Sequence, residues 1–115
     1  MQLIANTAEG ITTLNLHGKL DSFTSNRLQE ELLGLLVEGA RKVIVDFSQV
    51  DYISSAGIRV FYVAAQRLEE ISGRMVFCAL PPHVKKIFDI VDMSSEFKIF
   101  ATPGEAFRHL REEVS

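Results

Sequence analysis

The sequence predicts an α/β fold with a mostly parallel sheet of four to five strands. Three observations carry that expectation. Apolar β-branched runs, above all Val43-Ile44-Val45, suit strands covered on both faces. Between them lie stretches whose apolar residues recur at helical spacing. Strands alternating with helices of this length imply crossover connections, hence the order ββαβαβαβα.

Taken in order, Leu3 to Thr7 reads as a short edge strand. Gly10 opens a second strand, Ile11 to His17, with Leu14 and Leu16 on one face, and Gly18-Lys19-Leu20-Asp21 is expected to end it. From Thr24 to Glu38, Leu28, Leu32, Leu35 and Leu36 fall at helical spacing, and Gly39 supplies a stop. The third strand, from Val43 into Asp46-Phe47, leads to a polar stretch, Ser48 to Ser54, expected to be a loop. A long helix follows to Ser72, with Ile58, Phe61, Ala65 and Leu68 inward and Arg59, Gln66, Arg67, Glu69 and Glu70 outward. Met75 to Leu80 is a fourth strand. Pro81-Pro82 starts a helix carrying Val84, Ile87, Phe88 and Val91, and Phe97 to Phe100 is a last short strand. Thr102-Pro103-Gly104-Glu105 has capping-box spacing and opens a final helix to about Glu113.

Composition narrows the function classes. The 115 residues include 47% hydrophobic and 23% charged, enough for one core and read as one domain over 1–115. A formal charge of −3 supplies no excess positive charge for nucleic acid. One Cys and three His leave too few soft ligands for a structural zinc site, so no metal and no cofactor are expected. No apolar run is longer than that of Val60 to Ala65, far shorter than the ~20 residues of a spanning helix. No secretory leader is evident, which makes the expected location cytoplasmic, with no membrane partner.

Chemistry is expected where strand ends lead into helix N-termini. Asp21, Asp46 and Ser55 are placed on one edge of the sheet by that reasoning. Ser54 and Ser55 open the long helix, and two readings stay open. One serine can be only the N-cap, its hydroxyl accepting a backbone N–H. Alternatively a serine here is a phosphorylation site, since the helix start offers N–H donors and a positive dipole end. Arg59, one turn after Ser55, opposes that dipole and has no evident local partner; it is either a solvated surface residue or a partner for a phosphate or an acidic surface. Enzyme motifs are missing. No Gly-x-Ser-x-Gly elbow, Walker A loop or His-Glu-x-x-His occurs, and no catalytic residue is assigned. His17, His83 and His109 are scattered, and Cys78 sits in an apolar run as a core residue.

The segment from Asp46 through Ile53-Ser54-Ser55-Ala56-Gly57-Ile58-Arg59 to Val60 resembles the signature of the STAS family, specifically bacterial anti-sigma factor antagonists. Gly18-Lys19-Leu20-Asp21 resembles that family's glycine–apolar–aspartate turn, and the likeness covers nearly the whole chain. The resemblance implies a non-enzymatic domain that binds a kinase-fold anti-sigma factor when unphosphorylated. Phosphorylation of one serine by that kinase releases it, and a metal-dependent serine phosphatase resets it. The acceptor implied here is Ser55. The implied docking surface joins Asp21, Ser22 and Asp46 to Ser54, Ser55, Ala56, Gly57, Ile58 and Arg59. This chain has Ser54 where many relatives have Asp, and Ala56 where others have a second serine. An alternative of another class is a scaffold or transport accessory domain of the same fold that docks on an ATPase without a phosphorylation cycle.

Overall fold

Strand and helix patterns resolve, in the computed structural model, into one five-stranded sheet whose spatial order follows the chain, β1-β2-β3-β4-β5. The structure describes residues 1–113. β1 (Gln2–Ala8) pairs antiparallel with β2 (Ile11–Leu20), and β3 (Lys42–Ile53), β4 (Arg74–Cys78) and β5 (Ile99–Phe100) add in parallel. The helices are α1 (Ser25–Val37), α2 (Ser55–Glu70), α3 (Pro82–Ile90), a short α4 (Met93–Glu96) and α5 (Pro103–Glu112).

Alternation along the strands divides the interior into two cores. On one face Val43, Val45 and Phe47 of β3 and Met75 and Phe77 of β4 pack with Leu28 and Leu32 of α1, Phe61 and Leu68 of α2, and Val84 and Phe88 of α3. On the other, Ile44, Val76 and Cys78 meet Ala106 and Leu110 of α5. A strand covered on both faces has no polar side to show, which is why 43–45 is continuously apolar. α5 is capped as its sequence predicts: Thr102 Oγ1 accepts the Glu105 N–H, while Glu105 reaches back to the N–H of Ala101. At its other end the Lys42 ammonium donates to the carbonyl of Leu110 at 2.9 Å.

Three features correct the sequence expectations. β2 does not stop at His17 but runs to Leu20. The stretch Ser48 to Ile53, expected to be a loop, is strand: β3 continues beside β2 and buries Val50 and Ile53. Two register shifts, between Asn15 and His17 and between Gly18 and Lys19, each place one extra residue on β3, so the alternation breaks twice and the segment looks irregular in sequence. Finally, α4 precedes β5; it is pinned by the fully buried Met93 after a left-handed Asp92.

Prolonging β2 and β3 past β4 matters for the site. It starts α2 beyond the paired end of β4, where its first turn shares a groove with the start of α1.

Candidate functional site at the mouth of α2

Leu20 and Ile53 are register partners at the ends of β2 and β3, and the N–H of Ser54 donates to the Leu20 carbonyl at 2.8 Å. Ser54 is extended, with φ −100° and ψ 170°, and its Oγ accepts the N–H of Gly57 at 3.3 Å. The capping role therefore belongs to Ser54. Ser55, the first residue of α2, is exposed, and its hydroxyl has no hydrogen-bond partner among the described residues. One serine holds the helix and the next is free.

Gly57 fixes how closely α2 approaches the strand end. A Cβ built there lies 2.5 Å from Leu20 Cγ and 2.8 Å from Cδ2, and Leu20 is fully buried. Alanine raises helix propensity by up to ~1 kcal/mol but cannot be accommodated without moving Leu20 or the first turn of α2. Gly57→Ala is expected to destabilise the protein by about 1–3 kcal/mol net of that gain, read as a lowered midpoint in urea. An unchanged midpoint would mean that α2 is not seated on Leu20.

Asp21 organises the neighbouring turn. Its Oδ1 accepts the N–H groups of Phe23 at 2.9 Å and Thr24 at 3.1 Å, while its own N–H donates to Thr24 Oγ1 at 2.9 Å. The N–H of Thr24, then that of Phe23, holds the carboxyl below its ordinary range, opposed by partial desolvation. The fold favours the ionised form. Its contribution is thus complete above the ordinary carboxylate value and is lost as pH falls through the lowered one. Asp21→Asn is expected to flatten the acid arm of stability against pH below about pH 4, as measured by urea unfolding at a series of pH values. An acid arm identical to the parent's would remove Asp21 from the titrating groups.

Between the starts of α1 and α2 lies a groove of about 410 Å³ lined by Ser22, Ser25, Asn26, Gln29, Ser55, Ala56, Arg59 and Val60. Arg59 is the only charged side chain in that lining. The structure thus brings Ser22, Ser55, Ala56 and Arg59 together, with Asp21 bracing the turn before α1, Ser54 capping α2, and Gly57 and Ile58 buried beneath. Asp46 is placed elsewhere, a correction to the expected shared edge. Because β3 runs on to Ile53, Asp46 is internal to the strand, paired with Asn15 and Cys78, 7% exposed, with Oδ1 accepting the Ser48 N–H at 2.8 Å. Its alternation with Ile44 sets it on the α5 face, near Cys78, whose thiol is pushed up to about 12 by burial and secondarily by the Asp46 charge. A larger depression of about 760 Å³, lined by Lys85, Asp89, Phe97, Lys98 and His109 among others, includes none of the sequence-predicted site residues.

Sequence reasoning missed four residues here. Asn26 and Gln29 line the groove from α1. Phe23, 90% exposed, projects from the Asp21 turn, and Tyr52, 48% exposed, stands two residues before Ser54. A signal for Phe23 exists: it is an aromatic inside the polar run Asp21 to Asn26, off the Leu28–Leu32–Leu36 stripe. Both are exposed aromatics on the chain segments that lead into the starts of α1 and α2.

A mostly parallel five-stranded sheet with one antiparallel edge and helices on both faces is the architecture of a STAS domain. The chain belongs to that family: the STAS domain model matches residues 2–106. Among named relatives, the candidate anti-sigma factor antagonist BtrV of Bordetella bronchiseptica is 35% identical over 99 residues, 86% of this chain and 85% of BtrV. The fold is shared with a candidate anti-sigma factor antagonist of Thermotoga maritima at TM-score 0.91 and 16% identity, covering 96% of this chain and 95% of that one. It is shared also with the anti-sigma factor antagonist SpoIIAA in its unphosphorylated form, at TM-score 0.86 and 21% identity over 99% of this chain and 100% of SpoIIAA. The phosphorylated form of SpoIIAA, described as a Bacillus cell fate determinant, superposes at TM-score 0.76 and 19% identity, covering 95% and 99%. No helix among the described residues is long and apolar enough to cross a membrane.

Proposed function

We propose that this chain is an anti-sigma factor antagonist whose docking on a kinase-fold anti-sigma factor is switched by phosphorylation of Ser55. The observation that carries the reading is the division of labour between the two serines. Ser54 is committed to the Gly57 N–H, while the Ser55 hydroxyl is exposed and unbonded at the mouth of α2. The 35% identity to BtrV over most of both chains supports the role.

In the switching step the Ser55 Oγ attacks the γ-phosphorus of ATP held by the partner. An O–P bond forms, the bond from that phosphorus to the β,γ-bridging oxygen breaks, and ADP leaves. The hydroxyl proton passes to a base on the partner or to solvent. The domain contributes the acceptor and its positioning and no catalytic group; it is not the enzyme. The product adds about −1.5 to −2 charges at the centre of the docking face. A metal-dependent serine phosphatase resets the cycle by hydrolysing the ester. In this reading the protein acts in the cytoplasm, and Asp21, Ser22, Ser54, Ala56, Gly57, Ile58 and Arg59 shape the face. Asp46 contributes only through the strand that leads there.

Phosphopeptide mass spectrometry on the protein isolated from its native cells tests the assignment. The expected result is a phosphate on Ser55 and not on Ser54, removed by a serine phosphatase. Modification confined to Ser54, or none under any growth condition, overturns it.

A further inference from the structure

Arg59 is a cation without a partner of its own among the described residues. It lies on the exposed side of α2, one turn from the helix start, where a cation opposes the helix dipole. No carboxylate answers it: the one salt bridge among the described residues joins Arg74 to Glu113. Instead it lines the groove together with Ser55, and from α1 the amides of Asn26 and Gln29 join the same lining. None of these side chains has a hydrogen-bond partner among the described residues. Positions 55 and 59 are one turn apart on the same helix face, and 26 and 29 likewise share a face of α1. Two acids adjoin this lining in sequence and neither enters it: Asp21 is already held by the N–H groups of Phe23 and Thr24, and Glu30 is exposed to solvent.

We propose that the groove between α1 and α2 is a cradle for the phosphoryl group of Ser55, held by the Arg59 guanidinium and the side-chain amides of Asn26 and Gln29. A phosphate ester offers three acceptor oxygens, and Arg, with its planar fork of N–H donors, matches them better than a point charge does. The other residues of the lining are uncharged, so the groove itself holds no carboxylate to repel the anion. This rests on the reading of Ser55 as the phosphoacceptor and adds to it a form of regulation. The modified protein keeps its own phosphate, ties α1 to α2, and withdraws Arg59 from any partner.

The test uses the full chain with phosphoserine installed at position 55 during translation, which removes dependence on a cognate kinase. Phosphorus NMR titration gives the second ionisation of the phosphate, ordinarily near pH ~6. In the parent chain it is expected about half a pH unit lower than in Arg59→Gln, with Arg59→Lys between them. The phosphorylated parent is also expected to melt a few degrees above the unmodified parent, a gain lost in Arg59→Gln and reduced in Asn26→Ala/Gln29→Ala. Arg59 is exposed, so its variants retain the fold, and circular dichroism verifies this. Equal ionisation in the parent and Arg59→Gln overturns the proposal, whether both lie at the ordinary value or both are lowered by the helix start alone. Absence of a Ser55 phosphopeptide from native cells instead overturns the assignment of the acceptor and leaves the titration readable.

Discussion

Phe77→Ala is expected to destabilise the protein by about 3–5 kcal/mol, the upper range for truncating a buried side chain. Phe77 is fully buried on β4, and its ring meets four others: Phe61 at 5.3 Å, Phe47 at 5.4 Å, Phe88 at 5.5 Å and Phe97 at 4.9 Å between centroids. The first three contacts are edge-to-face, each contributing about 0.5–1.5 kcal/mol beyond burial. Because these rings come from β3, α2 and α3, truncation opens a cavity where three elements converge, and rigid backbones close it only partly. Set against a total stability of about 5–15 kcal/mol, the melting midpoint is expected to fall by roughly 10–25 °C. Phe77→Leu keeps most of the volume and is expected to lose clearly less. Phe23→Ala provides the contrast, since a side chain 90% exposed leaves the melt within about 0.5 kcal/mol of the parent. If Phe77→Ala melts with the parent, the aromatic cluster is not what holds β3, β4 and the helices together.

The same cluster shows why the fold was legible in the sequence. Phe61 belongs to the helical stripe of α2, Phe88 to that of α3, and Phe47 closes the apolar run of β3, so each announced its own element by spacing. Where local spacing failed, the cause was pairing at a distance. Ser48 and Gln49 are exposed, and Phe47, Val50 and Ile53 are buried three residues apart, a rhythm of neither helix nor strand. Only the two extra residues taken up against β2 turn that rhythm into one buried face. Misplacing that strand end also misplaced Asp46, which looked like a terminal residue and is an internal one. The cap and the free hydroxyl were both visible as candidates in Ser54-Ser55, but their order was not. It is decided by the φ and ψ of Ser54 and by which Oγ reaches the Gly57 N–H. The α1 side of the groove was out of reach for another reason: Asn26 and Gln29 are ordinary wet-side residues of a helix until α2 is laid beside them.

Separating cap from acceptor gives the most direct test of the proposed switch. Measured by calorimetry with the cognate kinase-fold partner, Ser55→Ala is expected to bind as tightly as the unmodified protein and to stay bound in the presence of ATP. Ser55→Asp places a negative charge, too short to sit in the Arg59 cradle as a phosphoryl group does, on the face that docking desolvates. Leaving such a charge unpaired costs about 3–5 kcal/mol, and each 1.4 kcal/mol is tenfold in affinity, so a loss of at least hundredfold is expected. Ser54→Ala is expected to behave in the opposite way. It removes the bond to the Gly57 N–H and lowers stability by about 1 kcal/mol, yet leaves a phosphorylatable Ser55 and a working switch. The fully buried Leu20 beneath Gly57 keeps the first turn of α2 in place in all three variants, so differences in binding report charge and not refolding. A Ser55→Asp protein that binds like the parent would place the docking face away from the mouth of α2. An acceptor reassigned to Ser54 would require the same hydroxyl to surrender its helix-capping bond each time the partner docks.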